Sequence, residues 1–529
     1  MQQGQRSGRP AASDVLDAGP EPGGFPAAGL PAGGTVLTRD AWDRMAVSAP
    51  PAAQVGAGAL PAGLAAALSL IDEGFATGGP ARPGGGRAVP SAGAIHPYEC
   101  HVVTADAVYA TDAVRRRAFR TGAVDPAALA AAGLRRPAGD RALVVIATRP
   151  WLSMRKYGDR GYLYTQLDTA HLAVNLLGLA SRAPSGADLR LRLRREPLAA
   201  LLGLGDRCRE IHSVLRVGPD GRAAPAWTVY ETGPAVDQPS WLERACWESL
   251  RPVPADHGDG GAQDAVPVGT SGAAAAGPPA AAPAAAPAAG VGRAASGGVL
   301  LAGSAGGIPL PAGGSLPQHG GTLLPEAWPA LSAGRRSSKG FAAGAVPRAA
   351  LGRALAAIGT ELRCDLPGRT ALRMTLVARE VDGLPAGVYR SGGLDGGASS
   401  GSEGGPGSGS APAPSDADLV AACMHQDHLG AAAAAVLFHT GRDELLGRPP
   451  AALREALFRA GGLGQLLYLG ATDAGLGVTG VGGFDTRRWR RMGCLPEGDE
   501  LLYLVLLGAD GGPGVKWDRQ QGAYAQGER

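Results

Sequence analysis

A short cluster of cations and hydroxyls is the part of this sequence best suited to hold an anion. Within five residues stand two guanidinium groups, a hydroxyl and an ammonium group, on Arg335, Arg336, Ser337 and Lys339. A phosphate dianion needs donors of these types, and a helix starting there would add its dipole. The alternative is a solvated basic turn, which these residues alone favour.

A loop of small residues could bring the backbone close to a flat ligand. It consists of Pro90, Ser91, Ala92 and Gly93. Small side chains permit a close approach where a larger residue would collide with a bound ring. The alternative is an ordinary turn before a strand predicted at Tyr98–Val103, and the four residues alone favour that turn.

Lys156 and Tyr157 are the candidate proton acceptors. A lysine can act as a general base where desolvation lowers its pKa toward neutrality, and an adjacent tyrosine can relay or orient the proton. In the alternative, the pair belongs to a surface loop and the lysine is solvated. That loop would lead into the long apolar helix predicted at Asp168–Ala180.

Composition excludes several classes of protein. The 529 residues include 84 Gly and 43 Pro, yet 45% are hydrophobic, which indicates packed domains interrupted by low-complexity segments. A net charge of +3 is too small to indicate a nucleic-acid or membrane partner. The six cysteines form no CxxC pair, and His425 and His428 have no evident third ligand, so no metal site is expected. The polar N-terminus, without an apolar signal core, favours a cytoplasmic protein.

Low-complexity stretches divide the chain into two predicted domains. Such stretches bury too little apolar surface to offset their conformational entropy. The predicted segments are a tail at 1–34, a first domain at 35–252, a Gly/Ala/Pro linker at 253–321, a second domain at 322–511 with a Gly/Ser-rich insert at 394–415, and a tail at 512–529.

The two predicted domains place similar elements in the same order. Each has a helix that follows a proline, a strand with a Val-Tyr pair, a buried strand, a long apolar helix and a closing strand. The paired segments are Gly58–Ile71 with Gly344–Ile358, Val108–Tyr109 with Val388–Tyr389, Ala142–Thr148 with Ala434–Thr440, Asp168–Ala180 with Gly461–Thr472, and Leu215–Gly218 with Val505–Gly508. This order predicts a duplicated α+β domain.

Five segments also carry a resemblance to a known family: Pro90–Glu99, Lys156–Tyr162, Arg335–Phe341, Gly383–Arg390 and Gly482–Asp485. The first two look like the PSAGxxxPxE and KYGxRxYRY segments of the azoline dehydrogenases, the SagB and cyanobactin-oxidase branch of the nitroreductase flavoproteins. The third resembles the RRSxRxF opening that holds flavin phosphate across that superfamily, and the last two match weaker signals. The resemblance implies two nitroreductase-like domains, each an antiparallel-rich sheet flanked by helices, which form an intrachain pseudo-dimer.

Each predicted domain lacks motifs that the other keeps. The positions aligned with Arg335–Phe341 in the first domain are Ala49–Val55, without a cation, and its GGF segment is replaced by Pro184–Asp188. The second domain has no counterpart of Pro90–Glu99, and its nearest stretch is Leu366–Met374. Family members bind flavin at the interface of two protomers. The resemblance therefore implies one composite site between the domains and a second, inactive position.

The function implied by the resemblance is oxidation of thiazolines or oxazolines in a ribosomally made peptide. The implied cofactor is FMN, held by Arg335, Arg336, Ser337, Lys339, Pro90, Ser91, Ala92, Gly93, Gly482 and Gly483. Lys156 and Tyr157 are the implied catalytic pair, since removing a hydride from the ring also requires a base for a proton. An azoline-containing peptide is the implied substrate and a cyclodehydratase an implied partner. An NAD(P)H-dependent nitro- or quinone reductase and a non-catalytic scaffold subunit are the alternatives.

Overall fold

The computed structural model describes residues 60–75, 87–183, 186–204, 209–219, 227–231, 323–366, 372–390, 413–446 and 450–512. The predicted tail at 1–34, the linker at 253–321, the residues Ala49–Val55 and nearly all of the insert at 394–415 lie outside the described residues. In the described part of the chain, no helix is long and apolar enough to cross a membrane.

A seven-stranded sheet is formed by the first half of the described chain. Its strands are β1 (Tyr98–Val103), β2 (Ala107–Asp112), β3 (Arg117–Ala123), β4 (Ala142–Thr148), β5 (Asp188–Arg190), β6 (Glu210–Val217) and β7 (Thr228–Tyr230). They follow the order β5-β6-β4-β1-β2-β3-β7, with every pair antiparallel except β3 and β7. The accompanying helices are α1 (Ala62–Phe75), α2 (Pro126–Ala131), α3 (Pro150–Tyr157), α4 (Arg160–Ala180) and α5 (Arg195–Leu201), with a 3-10 turn at Ala92–Ala94.

The second half forms a six-stranded antiparallel sheet. The strands of this half are β8 (Phe341–Ala342), β9 (Val346–Pro347), β10 (Arg373–Ala378), β11 (Val381–Asp382), β12 (Gly387–Arg390), β13 (Ala434–Gly441), β14 (Gly477–Gly480) and β15 (Asp499–Asp510). The sheet order is β12-β10-β13-β15-β14 with β8 also on β15, while β9 and β11 form a separate parallel pair. The helices are α6 (Trp328–Gly334), α7 (Arg348–Ala356), α8 (Asp416–Ala422), α9 (Arg442–Leu446), α10 (Pro450–Asp473) and α11 (Thr486–Met492), with 3-10 turns at Ala357–Gly359 and Asp427–Leu429.

The predicted α+β class is confirmed. The strands β4 and β13 were predicted from continuous apolar runs, and each lies in the interior of its sheet. Every residue of β4 is buried, and so are all but the last of β13. Strands covered on both faces need apolar residues at consecutive positions rather than in alternation, which explains the pattern.

Five strands follow the same order in both sheets. The order β5-β6-β4-β1-β2 in the first corresponds to β14-β15-β13-β10-β12 in the second. Both central pairs also contain a bulge at the same point. The register of β4 on β6 shifts between Ile146 and Ala147, and that of β13 on β15 shifts between Phe438 and His439. A bulge disrupts the ladder locally and bends the strand, so the two sheets share a local distortion as well as an order.

The two long helices α4 and α10 pack against each other and share one apolar core. Leu172 and Leu176 of α4 belong to the same buried cluster as Leu466 and Leu469 of α10. The backbones approach so closely that a Cβ on Gly461 would lie 2.6 Å from the carbonyl oxygen of Leu167. Glycine at this position of α10 therefore permits the contact that sets the two halves side by side.

A buried hydrogen-bond chain crosses the contact between α4 and α10. His171 bonds Gln465 and Tyr503, each at 3.0 Å, and burial lowers the pKa of His171 to about 3. The Gln465 amide donates to Asn175 Oδ1 at 3.3 Å, and Trp328 Nε1 donates to the same oxygen at 3.1 Å. A neutral imidazole in a satisfied network fixes how the two helices meet.

Candidate functional site

A cleft at this contact brings the predicted binding segments together. The first half contributes the loop Pro90–Gly93, Tyr157 and Asp168, and the second half contributes Ser337–Lys339 and Gly480–Gly483. Of the ten predicted cofactor residues, all except Arg335 and Arg336 line it. The remaining lining residues are Tyr164, Leu167, Gln426, His428, Leu429, Tyr468, Thr479 and Tyr503.

The small-residue loop is anchored by a buried aspartate. Ser91 Oγ donates to Asp168 Oδ2 at 2.6 Å, and the Ala92 N–H donates to the same oxygen at 3.1 Å. Ser91 Oγ also accepts the N–H of His96 at 2.7 Å. Asp168 stands in α4 and is only 5% exposed, so its carboxylate depends on such donors. Sequence reasoning missed it as a site residue, and its signal is an acidic residue in an otherwise apolar run.

Gly93 lies directly against the predicted catalytic pair. Its φ of 64° is in the left-handed region that glycine tolerates. A Cβ built there would stand 2.5 Å from Tyr157 Oη and 2.8 Å from Lys156 Nζ. The loop and the pair are therefore in contact, and the contact requires a residue without a side chain.

Replacing Gly93 with alanine should displace the Lys156–Tyr157 pair. A shift of about 1 Å at a reacting group can cost about 10²-fold in rate, so we expect a loss of that order in turnover. The matched control is Gly383→Ala, at a φ of 68° where a Cβ would meet nothing within 4 Å, which adds backbone strain alone. Equal turnover in the two variants would contradict the placement of the pair.

Lys156 and Tyr157 end helix α3 beside the cleft. The half-buried Tyr157 ring stands edge-on to that of Tyr164, with 5.1 Å between centroids. Lys156 Nζ lies 5.1 Å from the centroid of the Tyr157 ring. Lys156 itself is exposed, so the described residues do not supply the desolvation that sequence reasoning required of a general base. A ligand covering this side of the cleft would have to supply it.

The guanidinium of Arg335 makes hydrogen bonds within the protein and does not line the cleft. Its Nε donates to the carbonyl of Ala88 at 2.6 Å, and one terminal nitrogen donates to that of Arg87 at 2.9 Å. The other terminal nitrogen donates to Ser337 Oγ at 3.1 Å. Burial lowers the pKa of this guanidinium. Because only Val89 separates these two carbonyls from the small-residue loop, Arg335 joins the start of that loop to the second half.

Two hydroxyls and an ammonium group of the second half line the cleft side by side in the sequence. Ser337 and Lys339 line it, together with Ser338, which sequence reasoning missed. Ser337 Oγ lies 3.2 Å from the hydroxyl of Tyr468, and Ser338 Oγ accepts the N–H of Val478 at 3.1 Å. Arg336 is exposed and lies outside the lining. The side chains in the lining have the donor types that an oxyanion needs.

Gly482 and Gly483 form the wall opposite the small-residue loop and are held from two sides. The hydroxyl of Tyr164 donates to the carbonyl of Gly482. Gln426 Nε2 donates to the carbonyl of Gly483 at 3.0 Å. A Cβ on Gly482 would lie 3.7 Å from the Cβ of Ala92. Two backbones with little or no side chain therefore approach each other here, and their small residues leave the slot beside them free of side chains.

The register of the sheets corrects one sequence alignment. Gly480 pairs with Val505, which lies two residues after Tyr503, the residue of β15 at the bulge. Leu189 pairs with Leu215, which lies two residues after Ser213, the residue of β6 at its bulge. Counting forward from these pairs, Gly482–Gly483 correspond to Leu191–Arg192 and not to Pro184–Asp188. Both segments then enter a seven-residue helix, α11 or α5. Composition could not show this, because strand pairing sets the register.

In the first half, the position that corresponds to Gly480–Gly483 is covered by residues 363–365 of the second half. Cys364 forms a β-bridge with Leu189. The Leu189 N–H donates to the Arg363 carbonyl, and the Asp365 N–H donates to the Leu189 carbonyl, each at 3.2 Å. The Asp365 carboxylate accepts the N–H of Leu191 at 2.7 Å. Backbone pairing thus occupies the gap that the small residues leave open on the other side.

The described residues contain no group of three or more His, Cys, Asp or Glu side chains that could hold a metal ion. His428 lines the cleft, and His425 lies in a left-handed conformation with a φ of 57°. The polar groups that line the cleft are hydroxyls, amides, one carboxylate, one imidazole and one lysine ammonium rather than a set of metal ligands.

Comparison with known proteins agrees with this architecture. Residues 407–509 match the model of the nitroreductase family. A putative nitroreductase from Anabaena variabilis ATCC 29413 is similar in structure over 84% of this chain and 87% of its own, with a TM-score of 0.52 and 16% identity. The fold is therefore nitroreductase-like.

Two further solved structures cover smaller parts of this chain. A putative nitroreductase from Ralstonia eutropha JMP134 matches 39% of this chain and 96% of its own, at 19% identity and a TM-score of 0.25. An FMN-dependent nitroreductase from Clostridium difficile R20291 matches 37% and 94%, at 12% identity and a TM-score of 0.21. No curated protein sequence matches the chain.

Proposed function

We propose that this protein is an FMN-dependent dehydrogenase that converts thiazoline or oxazoline rings of a ribosomally made peptide into thiazoles or oxazoles. The observation that carries the proposal is the position of Lys156 Nζ and Tyr157 Oη against Gly93, at the edge of the cleft. Removing a hydride from a ring carbon to form an aromatic ring also requires a base for a proton of the neighbouring carbon. The resemblance of both segments to azoline dehydrogenases and the nitroreductase-like fold support this reaction class.

The cleft residues suit FMN. The slot beside Ala92–Gly93 and Gly482–Gly483 suits a flat ring, since larger side chains at these positions would project into it. Ser337 and Lys339 in the cleft lining suit a phosphate dianion, and the adjacent Arg336 is retained as a proposed ligand. Bound FMN would accept the hydride and pass the two electrons to dioxygen.

The residues of this chain would handle the proton. The carbon next to the site of hydride loss gives its proton to Lys156 Nζ, and Tyr157 Oη orients the ammonium group so formed. Lys156 is exposed before substrate binds, so a peptide covering it would exclude water and favour its neutral form. Asp168 does not touch the proton; it holds the loop Pro90–Gly93, which contacts Lys156 and Tyr157.

We further propose that the two halves arose by duplication and bind a single FMN. The common five-strand order and the bulges at Ile146 and Phe438 support the duplication. The pairing of Cys364 with Leu189 supports a single site, because it occupies the slot that a second flavin ring would need. Leu191 and Arg192 stand at the corresponding position in place of the two glycines.

An NAD(P)H-dependent nitro- or quinone reductase is the second candidate. The match of residues 407–509 to the nitroreductase family and the exposure of Lys156 favour it. Such a reductase needs no base beside the flavin. The two candidates therefore differ in whether Lys156 matters to turnover.

To test the proposal, the FMN-loaded protein is incubated in air with an azoline-containing peptide. Mass spectrometry then measures the loss of two hydrogens per ring. A parallel reaction supplies NADPH with a nitroarene or a quinone. Azole formation without a nicotinamide supports the dehydrogenase. Reduction of the nitroarene or quinone without any azole would contradict it and support the reductase.

A further inference from the structure

A second cavity, of about 570 Å³, lies among α2, α4, α5, β6 and the start of α10. It shares no lining residue with the cleft described above. Its volume is in the range of sites for metabolite-sized ligands. Its walls are Ala130, Ala131, Ala132, Gly133, Gln166, Leu191, Arg192, Leu193, Arg194, Arg195, His212, Ala451, Arg454, Glu455 and Phe458.

Positive charge dominates this lining. Four arginines face one glutamate: Arg192, Arg194, Arg195 and Arg454 against Glu455. Arg192 Nε lies 3.9 Å from Glu455 Oε1, which compensates one guanidinium in part. Glu210 adds a carboxylate behind the wall, where it accepts bonds from Tyr162 Oη at 3.2 Å and Gln166 Nε2 at 3.4 Å and also attracts the guanidiniums of Arg195 and Arg454. A cationic excess remains in the cavity.

The guanidinium groups of Arg195 and Arg454 repel each other at this wall. Arg195 is fixed by its Nε, which donates to the Ile211 carbonyl at 2.8 Å, and by a terminal nitrogen, which donates to the Leu191 carbonyl at 3.2 Å. Burial and the nearby charge of Arg454 lower the pKa of Arg195. The Arg454 guanidinium is hydrogen-bonded to Tyr162, while its Nε is buried without a hydrogen-bond partner among the described residues. An oxyanion would supply an acceptor and offset the repulsion between the guanidiniums.

We propose that this cavity binds a small organic anion whose carboxylate or phosphate group contacts Arg195 and Arg454. Ala132, Leu193 and Phe458 complete the wall with apolar surface, which suits a ligand with an apolar or aromatic body better than a free inorganic ion. The site does not depend on the proposed dehydrogenation. A flavin does not suit it, since the slot beside Leu191 and Arg192 is closed.

The test is calorimetry on protein saturated with FMN, with four probes: benzoate, phenyl phosphate, benzyl alcohol and inorganic phosphate. We expect about one equivalent of benzoate or phenyl phosphate and no binding of benzyl alcohol. The tighter of the two anions identifies the head group. Arg454→Gln should weaken binding about tenfold or more, because it removes a charge-assisted contact.

Two further variants separate a loss of anion binding from a general loss of stability in Arg454→Gln. Arg194→Gln, at an exposed lining position that tolerates substitution, should weaken binding about threefold. Arg353→Gln, on the exposed face of α7 and outside the cavity, should leave it unchanged. The proposal is overturned if neither anion binds, if Arg454→Gln and Arg194→Gln both bind like the wild type, or if binding releases FMN. Inorganic phosphate binding as tightly as phenyl phosphate would mean an adventitious ion only.

Discussion

Lys156→Ala should lower the rate of azoline oxidation by about 10²- to 10⁴-fold, the usual contribution of a positioned general base. The variant should keep its FMN, because Lys156 lies outside the cleft lining and is exposed. Reduction of the flavin by NAD(P)H, if the protein supports it, should also be spared, since that transfer needs no base. The measurement is single-turnover azole formation beside FMN content.

Arg155→Ala is the matched control for Lys156→Ala. It removes the neighbouring exposed cation, whose guanidinium lies 4.8 Å from the Trp151 ring. We expect azole formation at the wild-type rate in this variant. Unchanged azole formation in Lys156→Ala would contradict the assignment of Lys156 as the base. Equal losses in both variants would instead indicate that the positive charge at the end of α3 matters to the rate.

Asp168→Ala should weaken FMN binding by about tenfold or more. The substitution removes the acceptor of Ser91 Oγ and of the Ala92 N–H, and hydrogen bonds to a charged group contribute about 1.5–3 kcal/mol each. The small-residue loop would lose its anchor on α4, and with it the close approach that the slot requires. FMN titration by fluorescence quenching measures the effect.

Two variants separate the anchoring role of Asp168 from a general loss of stability. Asp168→Asn retains one carbonyl acceptor and should lie between Asp168→Ala and the wild type. Asp473→Ala, at the exposed end of α10, removes a carboxylate outside the cleft lining and should bind FMN normally. Wild-type FMN affinity in Asp168→Ala, with the protein folded, would show that the loop holds its position without this anchor.

The sequence pointed to segments that the structure brings to one cleft, because their residue types restrict their use. Pro90–Gly93 and Gly482–Gly483 are small, so they can approach a ligand or each other closely, and the structure places them face to face. Ser337 and Lys339 line the same cleft. The strands β4 and β13 were recognisable because a continuous apolar run suits a strand covered on both faces.

What the sequence could not predict depends on partners distant along the chain. A guanidinium has the same donors for a phosphate as for carbonyls, so nothing in the sequence distinguished Arg335, which bonds Arg87 and Ala88, from a cofactor ligand. Lys156 resembles a catalytic lysine, yet its exposure follows from the packing around α3. The correspondence of Gly482–Gly483 with Leu191–Arg192 follows from strand register, which no local pattern encodes.

The most direct test of the central claim is the flavin stoichiometry of the purified protein. The flavin is released, identified, and measured against the concentration of the chain, before and after incubation with excess FMN. One FMN per chain is the expected result, because one slot is open and the corresponding one is closed by the pairing of Cys364 with Leu189. Two FMN per chain, or none after the incubation, would contradict a single composite site between the two halves.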